Sequence, residues 1–213
     1  MITICLVNES GLTSDEMVTT KLALKDFVCS LLDWKFGDVK ISLDAPLSTD
    51  WIVYITTRNR GGGAGRHTVE HGVPVAYCLP NTAPNRFGTY HAPFVVKGKQ
   101  LRAEIMRQGM LGVVCHEVAE MLGDPLTKTV SAPDSQGRKW LREIVDPVQG
   151  VLYMKVINGK NCVFPDVVLP SFYNLKGKAP YTIKNSLTTP FTKSALGGKA
   201  YYVDATGKVV EIV

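Results

Sequence analysis

Residues 115–124, Cys-His-Glu-Val-Ala-Glu-Met-Leu-Gly-Asp, constrain this chain more than any other stretch. The run before them, Met110-Leu111-Gly112-Val113-Val114-Cys115, carries no charge, and the apolar character continues through Val118, Ala119, Met121 and Leu122. A helix that is apolar on nearly every side is normally buried. Three ionisable side chains, His116, Glu117 and Glu120, ride on it. An unpaired charge in such surroundings costs several kcal/mol or more, so the fold must enclose this helix and still bring partners to it.

The spacing H-E-x-x-E has a mechanical meaning. Residues at i and i+4 lie one above the other on a helix face, so His116 and Glu120 can hold one cation between them. Glu117 leans to the side, where it is placed to take a proton from water on that cation. This is the logic of the H-E-x-x-H zinc hydrolases. Here the second ligand position is Glu120 in place of His. A carboxylate there adds negative charge, makes bound water less acidic and favours harder cations such as calcium or manganese relative to zinc. The competing reading is a helix face whose His and Glu residues pair with nearby Arg or Lys.

Length and composition fit one large domain or two small ones with ample core. Apolar content is 45% and charged content 20%, ordinary for a globular chain. No apolar run approaches the roughly 18 residues of a membrane span. Met1-Ile2-Thr3-Ile4-Cys5 lacks a basic n-region and a cleavage site, so a secretory signal is not expected. The five cysteines, at 5, 29, 78, 115 and 162, are scattered, which points to free thiols in a reducing compartment. A net charge of +5 permits weak attraction to anions without requiring it.

Along the chain, Ile2–Val7 reads as a strand. Thr13-Ser14-Asp15-Glu16 offers an N-cap for a helix running to about Leu32, with Met17, Leu22, Leu24, Phe27, Val28, Leu31 and Leu32 as its apolar face. Val39–Leu43, Trp51–Thr56 and Val73–Leu79 read as strands, and Arg58–Gly65 as a flexible glycine loop. Residues 80–98 look like an excursion with a short strand at Pro93–Val96. A long helix is expected from about Leu101 to Leu122, stopped by Gly123 and Pro125. Trp140–Val145 reads as a short helix or turn. Short strands follow at Val151–Val156 and Asn161–Phe164. A terminal hairpin is expected from Ala200–Val203 and Val209–Val213. This order predicts an α+β fold: a mixed sheet flanked by helices, then a smaller strand- and loop-rich part. The expected division is 1–125, carrying the motif helix, and 126–213, completing the site.

The chain resembles a family of zincin-like metallopeptidase proteins of bacteriophages and prophages. The resemblance rests on several segments. They are Ala64-Gly65-Arg66-His67 with Gly72-Val73-Pro74, the block His116 to Pro125, Arg142-Glu143-Ile144-Val145-Asp146-Pro147-Val148, and Asp166 to Tyr173. Gly197-Gly198 ahead of the terminal hairpin also fits, and 80–98 reads as an insertion. The most specific part is H-E-x-x-E-x-x-x-D-P with E-x-x-D-P downstream. The resemblance implies a zincin-like mixed sheet backed by the motif helix, with the strand Val73–Cys78 bordering the cleft and a peptide lying antiparallel along it. In the related gluzincin class, a Glu some twenty residues on gives the third ligand and a nearby Asp orients the first His. Glu143 follows Glu120 by 23 residues, so Glu143 is the expected third ligand and Asp146 the partner of His116. Asp124 is the rival ligand, or else caps the helix end or bonds Arg142. Expected cofactor and partners are Zn2+ (Ca2+ or Mn2+ as alternatives), a peptide or protein substrate, and other virion proteins. Membrane and nucleic acid are not expected. The expected location is the host cytoplasm or the virion.

Other signals weigh less. His67-Thr68-Val69-Glu70-His71 spells the inverted motif H-x-x-E-H, yet glycines flank it on both sides and leave no room for a helix. His67 reads as an exposed loop residue, or as one reaching the cleft from the sheet edge. The R-N-R-G-G-G-A-G-R stretch lacks the Lys-Ser/Thr of a P-loop and the aromatics of a single-strand binder. Tyr173 reads as packing, or as a donor to a developing oxyanion. No nucleophile elbow or C-x-x-C occurs, which removes serine-hydrolase and dithiol redox chemistry. Three functions remain: a metal-dependent peptidase, an inactive zincin-like virion or accessory protein, and, weakest, a nucleic-acid-associated protein.

Overall fold

The computed structural model describes residues 1–58, 63–80, 85–92, 94–96, 99–102 and 105–212. The fold is α+β. Its main sheet contains β1 (Ile2–Glu9), β2 (Val39–Ser42), β3 (Trp51–Thr56), β4 (Gly65–Glu70) and β5 (Val73–Cys78), in the order β2-β1-β3-β5-β4. The first four strands in that order run parallel; β4 is antiparallel to β5. β5, expected to border the cleft as an edge, is therefore interior, and β4 takes the edge. The two are joined by a tight turn in which His71 and Gly72 have φ of 52° and 81°, the left-handed pair that matches hairpin twist.

Helix α1 (Ser14–Cys29) connects β1 to β2. Its start is fixed by a capping box: Glu16 N–H donates to Thr13 Oγ1, and Thr13 N–H donates to Glu16 Oε2 at 2.8 Å. It ends earlier than the apolar pattern predicts, because the Ser30 hydroxyl and N–H both turn back to the Phe27 carbonyl. Leu22 and Leu32, expected on the buried face, are exposed.

Helix α2 (Met110–Gly123) carries the motif, and every residue on it except His116 is buried. It packs on β5, β4 and α1. It starts nine residues later than expected. Residues 99–102 and 105–107 instead form β8 (Lys99–Arg102) and β9 (Ile105–Arg107), which pair with β7 (Phe94–Val96) and β6 (Thr89–His91) as two antiparallel pairs. The excursion thus runs well past residue 98. Gly109 sets the helix start: its backbone is extended, and a Cβ there would lie 2.3 Å from the Asn85 carbonyl oxygen.

Beyond α2, β10 (Lys139–Trp140) replaces the start of the expected Trp140–Val145 helix or turn. It pairs with β13 (Tyr201–Val203), which pairs with β14 (Val209–Glu211) as the terminal hairpin. β11 (Leu152–Ile157) and β12 (Lys160–Pro165) form another hairpin, which packs on α2. One continuous apolar core runs from Ile4, Leu24 and Phe27 through α2 to Trp140, Ile144, Phe164 and Phe172. Among the described residues no helix is long and apolar enough to cross a membrane.

Candidate metal centre

Three elements converge on one cleft of about 640 Å3. α2 supplies His116, Glu117 and Glu120. The segment after β10 supplies Glu143 and Asp146, held by the buried Ile144 and Val145 and by a 3-10 turn, Asp146–Val148. β4 supplies His67. In the β4–β5 ladder His67 pairs with Ala76 and Gly65 with Cys78, both fully buried, so these alternate residues share the face turned to α2. Glu70 falls on the other face and accepts from the Tyr77 hydroxyl at 2.7 Å. The H-x-x-E-H letters therefore do not converge, as the short glycine-bounded stretch predicts. His67 alone enters the cleft, and its exposed-loop reading is corrected: its side chain is only 8% exposed.

Gly65 permits this approach. A Cβ there would lie 2.5 Å from Glu117 Oε1 and 2.6 Å from Val113 Cγ1. Edge strand and helix could not close to this distance with any other residue.

The distances define two overlapping groups. His116 Nε2 lies 3.0 Å from Glu120 Oε1 and 3.3 Å from Asp146 Oδ1. His67 Nδ1 lies 3.5 Å from Glu120 Oε2 and 3.7 Å from Glu117 Oε2, while its Nε2 is 3.9 Å from Glu143 Oε2. In each of the groups His116–Glu120–Asp146 and His67–Glu117–Glu120, one donor atom per residue can be chosen so that all lie within 4.8 Å. His67 Nε2 and Glu143 Oε2 are buried and have no hydrogen-bond partner, and Glu120 Oε1 has only the His116 ring beside it. Buried polar atoms are rarely left so.

The local field is correspondingly strained. Burial pushes the His67 imidazole toward neutrality, but Glu117, Glu120 and Glu143 outweigh it and raise its pKa to about 10. Burial also opposes charge on His116, yet Glu120 and Asp146 lift it well above the ordinary histidine value. Burial would raise Glu120, but His116 and His67 bring it down to about 2. Glu143 is raised to about 8 by burial and by the charges of Glu120, Asp146 and Asp124. Burial likewise raises Glu117 and Asp146. One carboxylate is held ionised at its neighbours' expense, the pattern of like charges sharing one site.

Of the residues expected from sequence, His116, Glu117, Glu120, Glu143 and Asp146 all line the cleft. Asp146 meets the same His116 nitrogen as Glu120, where an orienting partner would meet the opposite one. Glu143 faces His67. Asp124 is absent from the cleft lining: it is fully buried, and its Oδ1 accepts the backbone N–H groups of Lys128 and Thr129 at 2.8 Å each, fastening the chain after α2. The buried Tyr173 hydroxyl donates to the Glu143 carbonyl at 3.3 Å, which fits its packing role. Gln149, Lys199 and Tyr201 also line the cleft, and nothing in their sequence surroundings marks them. Residues 59–62 of the glycine loop lie outside the described residues; Gly63 and Ala64 border the cleft. Comparison with protein-family models, with curated proteins and with solved structures finds no match to this chain.

Proposed function

We propose that this cleft holds a divalent cation, zinc as the zincin resemblance implies, with manganese or calcium the alternatives that the carboxylate-rich donor set admits, and that the chain is a metal-dependent hydrolase of peptide bonds. The observation carrying this reading is the convergence of two imidazoles and four carboxylates in one cleft where His67 Nε2 and Glu143 Oε2 have no hydrogen-bond partner and Glu120 Oε1 has only the His116 ring, 3.0 Å away. These residues fit a cation, because mixed nitrogen and oxygen donors that the chain leaves unbonded are what such an ion replaces water with. His116, Glu120 and Asp146 would hold it, with Glu143 beside them. When bound, the ion supplies Lewis-acid polarisation of a carbonyl and lowers the pKa of water.

The remaining work falls to the chain. Glu117 Oε2 accepts the proton of the attacking water and returns it to the leaving amine. Burial raises its pKa, which brings it nearer the pH at which a general base is most effective. The α2 core excludes bulk water from behind the site. β4 lies at the sheet edge beside the cleft, so its outer backbone groups, which pair with no strand among the described residues, can take a substrate strand by main-chain hydrogen bonds. This moves the proposed substrate track from β5 to β4.

One observation favours a second reading, a phage virion or accessory protein that keeps the fold without turnover. Glu120 stands where zinc hydrolases of this spacing carry His, and a more anionic donor set acidifies water less. Glu117→Gln separates the two. The variant should retain its bound cation and lose cleavage of an unfolded protein such as casein by about 100-fold or more. Equal rates in wild type and variant would remove the hydrolase reading.

A further inference from the structure

The reading above uses one donor group around His116; the other is built around His67. Glu120 is shared, presenting Oε1 to His116 and Oε2 to His67. Donor atoms around tetrahedral zinc stand about 3.3 Å apart when each is about 2.0–2.1 Å from the ion. The spacings at His67 Nδ1, 3.5 Å to Glu120 and 3.7 Å to Glu117, are close to that edge, and the longer one exceeds hydrogen-bond length. The His67 Nε2 is also buried and unbonded opposite the equally unbonded Glu143 Oε2.

We propose that His67, Glu117 and Glu120 form a second divalent-cation site, bridged to the first by the Glu120 carboxylate. The second ion enters against the charge of the first a few ångströms away, so it binds more weakly. Once bound, it occupies Glu117 and withdraws it as a proton acceptor. The site is then inhibitory, and this last step rests on the hydrolase reading; the stoichiometry does not.

The test is equilibrium dialysis of the chelator-treated full chain against rising free Zn2+ at pH 7.5, with bound metal measured by atomic emission. Wild type should take up two ions per chain in two steps, and His67→Ala and His67→Gln one. With Mn2+, carboxylate-bridged ions are magnetically coupled. The six-line paramagnetic spectrum at one ion per chain should therefore broaden at two in wild type and stay six-line in both variants. Casein cleavage should rise over the first step and fall over the second. One ion per chain in wild type overturns the second site and leaves the hydrolase reading standing. No ion overturns both. Two ions in the His67 variants overturns the assignment of His67, and a rate that does not fall over the second step overturns the inhibitory role.

Discussion

Two sets of buried carboxylates in this molecule are treated in opposite ways. Asp134 and Asp166 are satisfied by the chain itself. Asp134 accepts the N–H groups of Gln136 and Arg138, the Arg138 side chain and the Trp140 indole, all at 2.8–3.0 Å. Asp166 accepts the N–H groups of Val167 and Lys184 and the Ser186 hydroxyl. The cleft carboxylates face two imidazoles at 3.0–3.9 Å and leave atoms unbonded. Despite burial, bonds from Trp140 and Arg138 hold Asp134 down to about 2; within the cleft, the imidazoles bring Glu120 down to about 2 while burial and neighbouring charge push Glu143 up to about 8. Asp134 and Asp166 are closed by the chain, whereas the cleft carboxylates are left open to the proposed cation; Asp124 lies between, with Oδ1 bonded to the backbone and Oδ2 unbonded.

The contrast makes ordered predictions. Asp134→Ala strands a buried indole N–H, a guanidinium and two backbone donors, so it should cost about 3 kcal/mol in urea unfolding, with or without added cation. Gly65→Ala drives a methyl into Glu117 and Val113 and should cost about 2 kcal/mol, accompanied by weaker cation retention. An Asp134→Ala variant as stable as wild type would erase the distinction between the two sets.

The pH response of chelated protein sharpens it. The folded chain keeps the Glu143 proton up to about pH 8, while the unfolded carboxylate releases it near 4.5. Folded His67 stays charged up to about 10, against 6.5 unfolded. Between these limits the folded state binds more protons, so stability falls as pH rises. The melting temperature should drop by about 3–6 K from pH 5.5 to 9. Asp134 acts in the opposite direction, losing its contribution only as pH falls toward about 2. Glu143→Gln should flatten the alkaline slope by about 2 K, the smallest of these effects. A melting temperature that climbs over the same range would contradict the proton balance.

How much of this the sequence reveals depends on how local the cause is. His116, Glu117 and Glu120 are legible because helical spacing alone stacks them, and the capping box of α1 is legible for the same reason. Glu143 and Asp146 came through a resemblance of motifs; their exact partners depend on how the chain after β10 docks, which no local pattern encodes. His67 was the residue least visible. It enters through a ladder at the sheet edge, and the turn that creates it is His71-Gly72, where Asn-Gly or Asp-Gly would have signalled a hairpin. The clue present was the alternation of His67 and Val69 with Arg66, Thr68 and Glu70 ahead of that glycine. The start of α2 is not legible because Leu101 to Met106 carries enough apolar residues to extend a helix, while the tight passage at Gly109 depends on a distant contact with residue 85.

The most direct measurement is the thermal unfolding of chelator-treated protein at pH 7.5 with and without Zn2+, in wild type and Glu120→Gln. A ligand that binds only the folded state at about 100 times its dissociation constant adds about 2.7 kcal/mol, several kelvin for a chain of this size. Wild type should gain that stability, and Glu120→Gln should gain little or none. A wild-type melting temperature indifferent to zinc, manganese and calcium at millimolar concentration would show that the open carboxylates await no cation.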